Sequence, residues 1–386
     1  MTGRSPRSDP AAIKAIAVAA ARERGAADVR VAPAIADEHA RERMRESFAR
    51  GDLATWSYGD EYARRASDPR AILEGARSVI CIAMPYATPQ PRGSAPLSGR
   101  VSNYAWSQDY HRRMRALLRE VAAEIDAAAG APVTAIACDT KPIAERAFAA
   151  RAGLGWVGKH TNLISPHAGS FVFLGEIVTS LALPADAPLR KTCGACTRCV
   201  EACPTGALRG DYTIDAVRCI ADATQRTDPI PRELRAAIGT WIWGCDICQA
   251  VCPPTRNAGA TASSAFAPLD ERIATPSLVA LLELRSGEFK RRYARTAMGW
   301  RGAAVLRRNA AIALGNALDR SAVGALARSL GEDPHPMVRG AAAWALGRIG
   351  SPTAFDALKA ARNAEHDCAV VEEIGAALEQ ESAFAR

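Results

Sequence analysis

Eight of the chain's eleven cysteines fall between residues 193 and 252, and their spacing limits what the chain can fold around. The first run, CGACTRCVEACP, carries Cys193, Cys196, Cys199 and Cys203 and ends on Pro204. Cys219 stands alone, and CDICQAVCP then supplies Cys245, Cys248 and Cys252. Three thiolates separated by two residues each face one iron–sulfur cube. A cysteine three residues later, just before a proline, is carried to a second cube. Eight thiolates suit two [4Fe–4S] clusters. We assign Cys193, Cys196, Cys199 and Cys252 to one cluster, and Cys203, Cys219, Cys245 and Cys248 to the other. The second run lacks a leading cysteine, and Cys219 supplies that ligand from upstream.

Two other uses of cysteine compete with this reading. Zinc takes CxxC pairs, but CxxCxxCxxxCP is not a usual zinc spacing. Disulfides belong to oxidising compartments, and the N-terminus has no continuous apolar core of the kind a secretory signal needs. A reducing, cytoplasmic setting is expected. The leftover Cys81 and Cys138 lie in apolar, strand-like runs and read as core residues.

At 386 residues the chain is long enough for two or three domains. No apolar run approaches the ~20 residues of a membrane helix, and the longest, Phe171 to Leu183, is interrupted by Glu176. The net charge of +8 favours an anionic partner without saying which.

Residues 1–185 alternate helical and strand patterns. Asp9-Pro10 reads as the start of an alanine-rich helix reaching about Arg24. Val29–Pro33, Ser78–Met84, Val133–Cys138 and Phe171–Val178 read as strands, and His111–Ile125 as a helix. This alternation predicts an α/β domain with a mixed or largely parallel sheet. Asp139 follows the strand VTAIAC, at a carboxyl end where ligands collect in open sheets; position alone favours an N-cap for the helix introduced by Pro142. Gly153, Gly155 and Gly158 end that helix rather than open one, which weakens a dinucleotide reading. They imply backbone pressed against a ligand or another segment.

Residues 186–256 form the expected ferredoxin-like two-cluster domain. Pro254–Pro268 reads as a linker or exposed loop. Residues 270–386 are helical throughout. RRNAAIALGN (Arg307–Asn316) and RGAAAWALGR (Arg339–Arg348) match at an offset of 32 residues, the mark of a HEAT-like α-solenoid. Lys290, Arg291, Arg292, Arg295, Arg301, Arg307 and Arg308, with Tyr293 and Trp300 among them, form either a solvated basic face or a grip for a phosphate backbone.

The motifs together resemble the epoxyqueuosine reductases, cobalamin-dependent iron–sulfur enzymes of tRNA modification. The matching stretches are YAWSQDYH (Tyr104–His111), DTKPIAERAFAARAGLGWVGKHTNLI (Asp139–Ile164), GSFVFLGEI (Gly169–Ile177), both cysteine runs, AVRCIA and the terminal repeats. The resemblance implies a multidomain α+β protein that binds cobalamin without a lower histidine ligand, and reduces epoxyqueuosine at the wobble position of a tRNA anticodon stem-loop. It implies Asp139 as proton donor, and a corrin and substrate pocket formed by Tyr104, Asp109, His111, Trp156, Lys159, Asn162, Ser170 and Asp246. It also implies a monomer fed by an external low-potential electron donor. Ser107 replaces a usual glycine, Ala221-Asp222-Ala223 a Ser-Tyr stretch, and Pro254 a tryptophan. These departures leave open a divergent relative with a shifted substrate. Two rivals also stand: a related cobalamin reductase of small molecules, and a cluster-bearing electron carrier.

Overall fold

The computed structural model describes residues 9–54, 56–89, 91, 95–259 and 261–381. Its compact units are interleaved along the chain rather than consecutive. The first comprises 1–89, 107–217 and 247–267; the second comprises 90–106, 218–246 and 268–386.

The first unit is built on a four-stranded sheet. Its strands are β1 (Asp28–Pro33), β2 (Ser78–Pro85), β3 (Thr134–Ala137) and β4 (Val172–Thr179), in the order β1-β2-β4-β3. Every neighbouring pair is antiparallel, which corrects the expectation of a mixed or largely parallel sheet. The reason lies in the last strand. Helix α2 (Tyr110–Ala129) carries the chain from β2 to β3, and those two strands do run the same way. However, β4 inserts between them, so no two parallel strands are adjacent. An alternating strand–helix sequence fixes the crossover but not which strand later fills the gap.

SVICIAMP suits the centre of this sheet, because all eight of its residues are buried. Fully burying one such aliphatic side chain contributes about 1.5–3 kcal/mol. On one face α2 buries Met114, Leu118, Val121 and Ile125 beside α1 (Pro10–Glu23). Gly175 of β4 admits that helix: a Cβ there would stand 2.8 Å from Met114 Cε. On the other face α3 (Glu145–Arg151) lays Phe148 and Ala149 against Val79, Cys81, Ala83 and Ala137. Cys81 and Cys138 are core residues, as expected. Asp9 caps α1 as expected, accepting from the Ala12 N–H at 3.4 Å.

The glycine run after α3 serves chain-to-chain packing. A Cβ on Gly153 would stand 2.2 Å from Ala187 O, and one on Gly155 2.4 Å from Ile164 O. The segment expected as a linker after Pro254 is not free. It contributes a short helix, Pro253–Ala258, and buries Phe266 against Phe173 at 4.8 Å between rings.

In the second unit, α4 (Ala303–Ala317), α5 (Val323–Glu332), α6 (Pro336–Ile349), α7 (Pro352–Arg362) and α8 (Cys368–Leu378) stack as helical repeats. The 32-residue offset has a packing cause. Gly315 and Gly347 hold equivalent places on α4 and α6, and a Cβ on either would fall 2.8 or 2.7 Å from Ala345 or Ala377 of the next helix.

Among the described residues no helix is long and apolar enough to cross a membrane.

Candidate active site and cluster segment

Asp139 sits just past β3, in a loop shaped by Pro142. The helix expected from Pro142 does not begin until Glu145. The intervening residues make three-residue turns closed by Thr140 N–H to Cys138 O, Ile143 N–H to Lys141 O and Glu145 N–H to Ile143 O. Asp139 is therefore not the helix N-cap, a place taken by Ala144. Its φ is 48°, a region most non-glycine residues avoid.

Its carboxylate faces His111: Asp139 Oδ2 lies 2.7 Å from Nε2, while Asp109 Oδ1 lies 2.6 Å from Nδ1. Asp109 also caps α2, accepting from the His111 N–H at 3.1 Å. Burial works against a charged imidazole here. The hydrogen bonds to the two aspartates outweigh it and carry His111 up to about 9. The side chain of Asp139 is 52% exposed, so it meets solvent as well as the imidazole.

Asp139 lines a cavity of about 180 Å³ with Tyr86, Tyr110, Glu145, Asn162, Ser170, Phe173 and Gln249. Tyr110 and Phe173 stack 4.3 Å apart at 2°, and Tyr110 also stacks on His111 at 4.0 Å. Ser170 is buried, its N–H donating to Thr255 Oγ1 at 3.0 Å. One carboxyl on the cavity wall, Glu145, and one buried in the sheet, Glu176, escaped the sequence reading. Burial pushes Glu145 up to about 7. Glu176 of β4 is fully buried, neither oxygen has a hydrogen-bond partner, and burial holds its carboxyl well above the usual range. The signal was present in the sequence: Glu176 is the acid that interrupts the apolar run Phe171–Leu183.

The cysteine segment divides between the units. Cys193, Cys196, Cys199, Cys203, Cys248 and Cys252 belong to the first, Cys219 and Cys245 to the second. Four of the first group lie within electrostatic reach of one another. Burial raises the Cys199 thiol, with Cys193 and Cys252 adding their charge; burial raises Cys252 too, with Cys193 and Cys196 adding theirs. The backbone N–H of Lys159 points at Cys193 Sγ from 3.4 Å, and its Nζ bonds Gly194 O at 3.0 Å. Lys159 thus sits on the cluster segment. Cys203 is partly buried, which raises its thiol, but Thr205 and the N–H groups of Thr205, Ala207 and Leu208 bring it below the ordinary value. Among the described residues no three His, Cys, Asp or Glu side chains are grouped to hold a single metal ion, and no disulfide forms.

In the second unit, Tyr104 Oη accepts from Trp243 Nε1 at 2.8 Å. Asp246 is buried, held by Ser102 Oγ and by the Asn103 N–H at 2.8 Å, and burial pushes its carboxyl up to about 6.

The basic stripe separates into two kinds of residue. Lys290, Arg291, Arg292 and Arg295 are exposed, and Arg301 lies 3.6 Å over the ring of Trp300. Arg307 and Arg308 correct the sequence reading. Arg307 is bound to Asp333 at 2.6 Å. Arg308 is buried, donating to the carbonyls of Ala223, Arg226 and Asp228 at 2.7–3.1 Å. α4 turns both away from solvent, Arg307 toward Asp333 within the repeats and Arg308 toward the segment that follows Cys219.

Comparison with known proteins follows this layout. Residues 66–140 match the family described as epoxyqueuosine reductase QueG, DUF1730; residues 192–255 match a 4Fe-4S double cluster binding domain; residues 300–379 match HEAT repeats. A Bacillus anthracis epoxyqueuosine reductase is 37% identical over 82% of this chain and 84% of its own length. The chain belongs to the epoxyqueuosine reductase family. A Lactococcus garvieae family member is 39% identical over 73% of this chain and 81% of its own. A crystal structure of an epoxyqueuosine reductase with an epoxyqueuosine-modified tRNA-Tyr stem loop superposes with a TM-score of 0.91 at 31% identity, covering 97% of this chain and 100% of that one. A Bacillus subtilis member, solved with its catalytic aspartate's loop swung out of the active site, gives a TM-score of 0.89 at 31% identity, covering 96% of this chain and 100% of that one.

Proposed function

We propose that this chain reduces epoxyqueuosine to queuosine at the wobble position of tRNA, with Asp139 as the acid. The observation that carries this is Asp139 itself, held at 2.7 Å from an imidazolium on the wall of a cavity. Removing the epoxide oxygen to leave an alkene consumes two electrons and two protons and releases water. Cobalamin supplies low-valent cobalt for this reduction when bound, and the two clusters, each a one-electron carrier, supply its electrons.

The residues fit such a cofactor. The cavity is lined by the aromatic residues Tyr86, Tyr110 and Phe173, with polar groups from Asn162, Ser170 and Gln249 for an amide-rimmed ring. Trp156 and His160 lie in the same segment, with Trp156 Nε1 and His160 Nε2 buried and without a hydrogen-bond partner. Tyr104, Asp109, His111, Lys159 and Asp246 complete the proposed set. Asp139 passes a proton to the departing oxygen, drawing it from the charged His111 hydrogen-bonded behind it at 2.7 Å, which is then reprotonated from solvent. Cys193, Cys196, Cys199 and Cys252 hold one cluster, and Cys203, Cys219, Cys245 and Cys248 the other.

Lys290, Arg291, Arg292, Arg295 and Arg301 bind the anticodon stem-loop, whose unpaired target base can be splayed into the pocket. Work is divided among residues 1–185, 186–256 and 270–386 in the order cofactor and substrate, electrons, RNA. The chain acts as a monomer in the cytoplasm, with a low-potential electron donor from outside. The test is nucleoside analysis of epoxyqueuosine-bearing tRNA incubated with the reconstituted protein and a low-potential reductant. Queuosine is expected; unchanged epoxyqueuosine overturns the proposal.

A further inference from the structure

Asp139 occupies a backbone conformation that does not hold itself. It is the central residue of a three-residue turn, Thr140 N–H closing on Cys138 O at 2.5 Å, with φ at 48°. Such a turn is rare and strained, and it persists only where neighbours over-determine it. The side chain is fixed by His111. The backbone is fixed by Glu145, whose Oε1 accepts the Asp139 N–H at 2.5 Å. Glu145 is itself well placed to do so. It opens α3, whose Phe148 and Ala149 are locked into the sheet, and the preceding Ala144 N–H is tied to Ala66 O at 2.7 Å.

Beneath this contact lies Glu176, opposite Cys81 and Ala137 in the register of the sheet and on the face that α3 covers. A buried carboxyl with neither oxygen bonded is costly and calls for a role. The geometry points to Glu145 as a positioning residue for Asp139: as a carboxylate it holds the loop in the turn that sets the Asp139 carboxyl on His111.

The groups within electrostatic reach of Glu145 agree with this. Arg146 and charged His111 favour its carboxylate. Asp139 disfavours it, and the charge of Glu145 in turn bears on Glu176, Tyr62, Cys81 and Cys138. Burial is the largest influence, and the carboxyl titrates at about 7 instead of the ordinary 4.5. Because that value is raised, the charged form, and the hold, is present above it and is lost as pH falls through it. A neutral acid is a weaker acceptor than a carboxylate.

This inference rests on Asp139 being the acid, and its test separates the two. Amide exchange across residues 138–142 is followed in the full-length, cofactor-loaded protein and corrected for the intrinsic pH dependence of exchange. Turnover is followed in parallel between pH 6 and 8. In the wild type, protection of the Asp139 amide falls with pH. In Glu145→Ala it falls on the order of tenfold at pH 8, with a similar loss in kcat and little change in KM. Glu145→Gln keeps an acceptor and a fold but removes the charge, so its protection and turnover lose their pH dependence. Wild-type protection and pH profile in both Glu145 variants overturn the inference, even when Asp139→Asn abolishes turnover. An active Asp139→Asn overturns the acid assignment and leaves the exchange result standing.

Discussion

A proton at His111 ties together the two aspartates that flank it. Its value is raised from 6.5 to about 9, so the stability it contributes is fully present below about 6.5 and is lost as pH rises through about 9. The melting temperature of the wild type should therefore exceed that of His111→Gln most below pH 6.5. The gap should close by pH 10; calorimetry across that range reads it directly. For the acid itself, Asp139→Asn should lower kcat by about 10²–10⁴ while cobalamin and iron contents stay unchanged. Iron and cobalt analysis beside single-turnover rates decides that, and normal turnover would sink the assignment. At this scale the sequence was a partial guide. Asp139 was legible because it follows a β-branched run and precedes a proline. Its conformation was not, because a positive φ at an aspartate depends on what Glu145 and His111 do from elsewhere in the fold.

Among the elements, α4 shows most clearly what periodicity hides. Charge along Arg285–Arg308 reads as one stripe, but the helix that begins at Ala303 rotates its last two arginines inward. Arg308→Ala leaves buried carbonyls without donors and opens a cavity, so it should cost about 2–4 kcal/mol of stability. Denaturant unfolding measures this; a change below about 0.5 kcal/mol would show those bonds to be dispensable. Replacing Arg291, Arg292 and Arg295 with glutamate should leave unfolding nearly untouched. It should weaken binding of the tRNA stem-loop and flatten its salt dependence by roughly one per lost phosphate contact. Unchanged binding would remove this face from the account. The repeats were legible because their glycines and small residues recur for a packing reason. The sheet's strand directions were not, because nothing local in β4 says that it will lie between β2 and β3.

For the molecule as a whole, the cysteine spacing set the chemistry and the strand–helix alternation set the layers. The way the units interleave is not legible in composition, since chain segments change unit without a change in residue type. Loaded protein should carry about eight irons, and Cys199→Ser should reduce that to about four. Loss of all iron, or iron unaffected, would refute the division of ligands into two sets. The grip of α4 bears on how such a protein can be dissected. Asn309 donates to the carbonyls of Thr224 and Ile242 at 2.7 Å, beside the three carbonyls held by Arg308. The polypeptide around Cys219 and Cys245 therefore completes its backbone hydrogen bonding only when the C-terminal helices are present. Cutting the chain before Ala303 would not yield a minimal electron-transfer module; it would strip donors from the interior of what remained.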